Sequence, residues 1–261
     1  MVCPTFGFAH RRKPVLPSVA AGRWTLNVKW WALGGAVAGA AGAMTYAVRG
    51  KSATLLAPSI HKGIATRKAI ALTFDDGPSE STPQLLELLD RYKAPATFFQ
   101  CGANVRRLPD IARQVAAADH EIGNHTDTHP RLSFKATEFI VNQLSRAQES
   151  IEEVTGLRPK LFRAPYGVRW FGLREAQRRL GLLGVMWTTI GLDWKWPSDR
   201  VAALLDEDAR NGAIFCLHDG RTIHPRPDVG VMLRAVERIL PVLIDRGYHF
   251  ERVSDIICPT I

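Results

Sequence analysis

From Ala69 onward, short apolar runs rich in β-branched and aromatic residues alternate with longer stretches whose apolar positions recur every three or four residues. The runs read as strands: AIALTF (69–74), ATFF (96–99), HEIG (120–123), LFRA (161–164), GVMWTTI (184–190), AIFCLH (213–218) and YHFERV (248–253). The periodic stretches read as helices with start and stop signals. Thr82-Pro83 opens QLLELLDRY as a cap with a first-turn proline, residues 135–156 end on Gly156, and two later segments end on Gly212 and Gly247. Pro241 is expected to kink or split the last of these. About seven strand–helix units in roughly 190 residues predict an α/β fold with a parallel sheet, either open or closed into a barrel. No glycine-rich phosphate loop follows the first strand, which argues against a nucleotide-binding version.

Ahead of this pattern lies WWALGGAVAGAAGAMTYAV (30–48), nineteen residues without a charge and close to the length that spans a bilayer. Trp30, Trp31 and Tyr46 sit near its ends, where interfacial aromatics belong, while four Gly and seven Ala supply little hydrophobic free energy. Several readings fit: a signal-anchor helix, a signal peptide cut at an A-x-A site such as Ala41-Gly42-Ala43, an interfacial arm, or part of an organellar transit peptide. The Gly35-x-x-x-Gly39 spacing also permits helix pairing. Five basic residues within twenty positions on each side leave the orientation undecided. The chain is thus expected to comprise a basic tail (1–29), a transmembrane or signal-anchor helix (30–48), a linker (49–68) and one domain (69–261).

Charge changes the picture through its location. The net charge of +9 would alone point to nucleic acid or an anionic surface. No Asp or Glu precedes Asp75, however, while ten Lys and Arg do, leaving 24 basic against 25 acidic residues from Asp75 onward. The body is near neutral, and nucleic acid is not an expected partner. Cys3, Cys101, Cys216 and Cys258 show no metal-finger spacing; Cys101 and Cys216 follow apolar runs and are expected to be buried thiols.

The unusual polar residues gather where strands end, which is where parallel α/β folds place their chemistry. Asp75-Asp76 follow the first strand, His125 and His129 the third, Arg163 the fourth, Asp193-Trp194 the fifth, and His218-Asp219 the sixth. Each alone has a plain explanation. Asp-Gly-Pro is turn chemistry, two histidines four apart are common on surfaces, and Pro130 disfavours a helix at His129. Together they offer one carboxylate and two imidazoles for a metal, a spare carboxylate, an arginine and a spare histidine.

The set TFDDGP (73–78), HTDTH (125–129), RAPYG (163–167), DW (193–194) and LHDG (217–220), in this order, resembles the five motifs of the polysaccharide deacetylase (NodB-homology) family, carbohydrate esterase family 4. The likeness covers about residues 67–257. It implies a distorted (β/α) barrel and a hydrolase that removes N-acetyl groups from an N-acetylated sugar or polysaccharide. By resemblance Asp76, His125 and His129 hold a divalent metal, usually zinc and in some members cobalt or nickel. Asp75 would be the general base toward water, with Arg163 holding it ionised and oriented. The Tyr166 N–H would stabilise the oxyanion, and Pro165 with Tyr166 would line the substrate site. His218 would protonate the departing amine, oriented by Asp193, and Trp194 and Leu217 would line a pocket for the acetyl methyl. One departure concerns substrate contacts: many members carry an Asp three residues before the Asp-Trp pair, and here that position is Ile190. Deformylation of a lipid-linked sugar, a ureide amidohydrolase step, and an inactive glycan-binding module are the alternatives. The family implies a domain outside the cytoplasm, facing envelope glycans.

Overall fold

The structure, a computed structural model, describes residues 22–258, with side chains from Trp30 onward. Residues 1–21, which hold most of the expected basic tail and Cys3, lie outside the described residues, as do 259–261. The chain divides into two units, residues 1–43 and 44–261. The described part of the first belongs to helix α1 (Gly22–Arg49), which begins eight residues before the uncharged stretch starts at Trp30. Its segment Trp30–Arg49 is long and apolar enough to cross a membrane, with mean hydropathy 1.2 and 6% of it buried. Alanine is the strongest helix former and no acid interrupts the run, so helix persists despite four glycines.

In the second unit a parallel sheet is built from β1 (Ser59–Ile60), β2 (Ala69–Asp75), β3 (Ala96–Gln100), β4 (Glu121–Asn124), β5 (Leu161–Phe162), β6 (Leu183–Val185), β7 (Thr189–Ile190) and β8 (Ala213–His218). The spatial order is β1-β6-β5-β4-β3-β2-β8-β7, and β9 (His249–Phe250) pairs with the start of β2. Helices α2 (Thr82–Arg91), α3 (Gly102–Arg107), α4 (Pro109–Ala117), α5 (Thr137–Thr155), α6 (Leu173–Leu180), α7 (Ser198–Glu207) and α8 (Gly230–Asp245) connect the strands, and α9 (Val253–Ile256) follows the last of them.

Strand alternation sorts the side chains. In β2, Ile70, Leu72 and Phe74 join the helix-side core with Phe98, Phe215, Leu217 and the apolar faces of α2, α7 and α8. Ala69 and Ala71 pack on the other face with Phe99, Leu161, Val185 and Ile214. Thr73 and Asp75 share that inner face, because β2 is flanked by β3 and β8 and buried on both sides.

Four expectations are corrected. GVMWTTI is not one strand: its ends form β6, next to the edge strand β1, and β7, the edge strand at the other end of the order, and Met186–Thr188 carry the chain between them. Met186 N–H bonds Ile60 O at 2.7 Å and Thr188 N–H bonds Ile214 O at 2.9 Å, so three residues link both edges and curl the sheet toward a barrel. The 49–68 linker is partly structural. Ala53, Leu56 and Ala57 are buried and residues 59–60 pair with β6, because Arg169 bonds the carbonyls of Val48, Gly50 and Ala53. Thr82 is not a helix cap; Ser81 precedes α2 without a capping bond, and the Thr82 hydroxyl bonds Asp219 Oδ2 at 2.6 Å. Pro241 lies inside α8 without splitting it.

Candidate active site

Asp75 and Asp76 are neighbours in sequence, yet both line one cavity of about 470 Å³ at the C-terminal ends of the strands. Successive residues of a strand point to opposite faces. Asp75, on the inner face of β2, obeys that rule; Asp76 escapes it by adopting φ 72°, a left-handed conformation that Asp tolerates better than most residues. The turn in the backbone returns the second carboxylate to the side of the first.

The two carboxylates then meet different partners. Asp75 Oδ1 accepts a hydrogen bond from Arg163 at 2.7 Å, and Oδ2 accepts one from the Cys216 thiol at 3.4 Å. Asp76 Oδ2 is bonded by the Thr222 N–H at 2.8 Å. Its Oδ1 lies 3.3 Å from His125 Nε2 and 3.0 Å from His129 Nε2 but accepts no hydrogen bond of proper geometry among the described residues. His125 Nδ1 faces the Arg163 carbonyl at 2.8 Å. A carbonyl only accepts, so Nδ1 carries a proton and Nε2 is the nitrogen turned toward Asp76. Burial alone would push the Asp76 carboxyl up, but the imidazoles of His125 and His129 outweigh it and hold the group well below the usual carboxylate range.

The loop carrying the histidines forms no helical turn. Thr126 (φ 69°) and His129 (φ 56°) are left-handed, Asn124 Oδ1 accepts the Thr126 N–H, and Thr126 Oγ1 accepts the His129 N–H. An orphaned, buried carboxylate oxygen facing two imidazole nitrogens is the donor set of a divalent transition metal, and these three residues fit one.

Across the cavity, His218 Nδ1 lies 2.9 Å from Asp193 Oδ1, and Asp193 Oδ2 accepts the His218 N–H. Burial would lower the His218 pKa; the Asp193 carboxylate, with help from Asp76 and Asp75, raises it to about 9. Trp194 stands edge-on to His218 at 4.8 Å and is half exposed. Tyr166 adopts φ 59° in the 165–167 turn, its N–H makes no backbone bond among the described residues, and its ring packs on His129.

Two expected lining residues do not reach the cavity. Pro165 is buried in the turn, and Leu217 faces the helix-side core. On β8, His218 points inward, so by alternation Cys216 does too and Leu217 cannot. The sequence reading also passed over Arg221, which reaches Asp193 Oδ2 at 3.5 Å, and Asn104, which ties the carbonyls of Asp76 and Thr222 together. Behind them Asp219 is buried against Thr82. Burial, then the Asp76 charge, push its carboxyl up to about 7 despite the Thr82 bond. Only Cys216 carried a readable signal, through strand parity.

A sequence model of the polysaccharide deacetylase family matches residues 62–185. A chitooligosaccharide deacetylase of Azorhizobium caulinodans is 37% identical over 200 residues, covering 71% of this chain and 92% of the relative. A peptidoglycan-N-acetylglucosamine deacetylase of Bacillus cereus is 36% identical over 194 residues, covering 73% of this chain and 88% of the relative. Among solved structures, a peptidoglycan N-acetylglucosamine deacetylase in complex with an N-oxidanyl-benzamide superposes with a TM-score of 0.71 at 28% identity, covering 76% of this chain and 91% of that one. The identity spans nearly the whole of both curated relatives, and this chain belongs to the polysaccharide deacetylase family.

Proposed function

We propose that this protein hydrolyses the acetamido group of an N-acetylated envelope glycan, releasing acetate and leaving a free amine on the sugar. One observation carries the reading: a buried Asp75–Arg163 pair and an Asp193–His218 pair open on the same cavity as the Asp76, His125 and His129 donors. A zinc-type ion on those three donors would polarise the acetyl carbonyl and lower the pKa of water there toward ~7, and cobalt or nickel suits the same donors.

The protein's own residues do the rest. Asp75 takes a proton from the attacking water, and Arg163 fixes which oxygen of Asp75 is free to do so. The unpaired Tyr166 N–H faces the charge that develops on the carbonyl oxygen; such a donor contributes roughly 3 kcal/mol to a barrier. As the C–N bond breaks, His218 delivers its proton to the sugar nitrogen, so one water is consumed and acetate and amine result. Asp193 keeps the His218 ring oriented and charged until that moment. Ile190 and Trp194 give the cavity an apolar wall for the acetyl methyl. Residues 30–48 anchor the protein in a membrane, with the second unit on the outer side where wall glycans lie.

The test is acetate release by the purified full-length chain, stripped of metal and resupplied with Zn²⁺ or Co²⁺, on N-acetylglucosamine oligomers and on peptidoglycan. Metal-dependent acetate that disappears in Asp75→Asn supports the proposal. A folded, metal-loaded protein that releases none overturns it.

A further inference from the structure

We propose that Asp75, Cys216 and His218 form a second cation site, adjoining the Asp76–His125–His129 set, that takes a thiophilic divalent ion such as Cd²⁺ or surplus Zn²⁺ and thereby stops turnover. The binding part stands on geometry alone; the effect on turnover rests on the deacetylase reading.

The backbone brings the three residues together. β2 and β8 run parallel with Thr73 beside Cys216 and Asp75 beside His218, and all three side chains project from the inner face. Their ligand atoms lie within 4.8 Å of one another, with Sγ 3.4 Å from Asp75 Oδ2. A tetrahedral ion about 2.3 Å from sulfur and about 2.0 Å from nitrogen holds its ligands about 3.3–3.8 Å apart, so small side-chain rotations close the set.

Each ligand is already oriented by a neighbour. Asp193 takes His218 Nδ1, which leaves Nε2 to bind; the carboxylate–histidine–metal arrangement uses the same device. Arg163 takes Asp75 Oδ1, which leaves Oδ2. Asp75 Oδ2 is also 4.0 Å from His125 Nε2, so the two ion sites share a wall.

The donor set of sulfur, imidazole nitrogen and carboxylate oxygen differs in kind from the nitrogen–oxygen set beside it. Thiolate selects zinc, cadmium and cuprous ions over magnesium or calcium. Binding replaces the S–H bond by a metal–sulfur bond, and the thiol proton leaves to solvent together with any proton on His218 Nε2. No oxidant or reductant takes part. The bound ion occupies the Asp75 lone pair that would take the proton of water and the His218 nitrogen that would carry the proton for the amine.

The experiment uses the full-length chain in detergent, loaded with one equivalent of Zn²⁺ and then titrated with Cd²⁺. Stoichiometry is read by equilibrium dialysis, and cysteine ligation by the near-ultraviolet thiolate-to-metal charge-transfer band. A second equivalent that brings the band is expected, with acetate release falling in step. The band should persist in a Cys3→Ser/Cys258→Ser double variant. Cys216→Ser should keep the first equivalent, lose the band and weaken the second by about tenfold or more. Saturation at one equivalent, or a second equivalent without the band, overturns the proposal, and so does a band that survives in Cys216→Ser. The stoichiometry and the band of the wild type test the site even where a variant fails to fold. Two ions with the band but no acetate under any condition sinks the deacetylase reading and keeps the second site; acetate release with one ion and no band does the reverse.

Discussion

Arg163 holds Asp75 at 2.7 Å with both side chains buried, while the same guanidinium bonds Thr73 Oγ1 and the carbonyls of Val185 and Met186 and lies over the Phe99 ring. The arginine is therefore a structural pin as well as the partner of the base. Arg163→Gln leaves Asp75 without its cation in a dry setting, which typically costs about 3–5 kcal/mol. We expect the melting temperature to fall by roughly 6–20 °C for a domain of this size. A calorimetric scan checks this, and a melting temperature unchanged within a degree refutes it.

Asp75→Asn separates the base from the metal set. Because Asp76, His125 and His129 keep their geometry, bound metal by elemental analysis should match wild type. Acetate release should drop by about 10²–10⁴-fold, the span of a general base. Loss of the metal along with activity would mean that the two carboxylates do not divide their tasks.

His218 sets the alkaline limit. With its pKa raised to about 9 by Asp193, the ring is cationic below that value and loses the proton it must donate above it. The kcat/KM profile should fall as pH rises through about 9. Asp193→Asn removes the raising charge, so the falling limb should move down toward the ordinary imidazole range; an unmoved limb would rule out His218 as the acid.

Chelation should abolish turnover and also loosen the fold. The ion binds the native site and not the unfolded chain, so at one hundred times its dissociation constant it stabilises by about 2.7 kcal/mol. The stripped protein should melt lower, and Zn²⁺ or Co²⁺ should restore both properties. His129→Ala should melt at the stripped value with or without added ion.

The cavity is lined by Arg49, Arg131, Arg221 and His224, whereas Asp75 and Asp76 are its only acidic lining groups among the described residues. Glycans carrying carboxylates or phosphates should therefore bind better than neutral oligomers, and added salt should erase the difference. Arg49→Gln and Arg131→Gln should each raise KM for an acidic glycan by up to about fivefold and leave neutral oligomers unaffected. Equal effects on both substrates would count against charge recognition.

The alternation of apolar runs with periodic stretches was enough to read a parallel α/β sheet, because long buried strands such as β2 and β8 carry a strong pattern. Two-residue strands carry none. Ser59–Ile60 pairs only because Arg169 draws the preceding segment onto the sheet, a contact between positions over a hundred residues apart. GVMWTTI is an unbroken β-prone run without a turn residue after Gly184, so nothing local marks where it leaves one end of the sheet for the other. The short helices α3, α4 and α6 also went unread. At the site, residue types and their positions after strands were legible, and the shared cavity follows from them. The left-handed turn at Asp76 was not, since Asp-Gly-Pro reads equally well as an ordinary loop. Leu217 illustrates the opposite failure. Its inclusion followed the motif, while the parity of β8 already placed Cys216 on the inner face.

The strap formed by Arg169 bears on how the protein is made soluble and how it is matured. Its backbone and guanidinium hold the carbonyls of Val48, Gly50 and Ala53, and Lys51 Nζ reaches Thr188 O at 2.5 Å. A recombinant form starting at Ser52 would discard two of those acceptors and Lys51, stranding buried donors, whereas one starting at Met44 retains them all. Scission after the Ala41-Gly42-Ala43 tripeptide falls at that same boundary between the two units. A protease cutting there would shed residues 1–43 and leave every acceptor of the strap in place; one cutting after Lys51 would remove two of them.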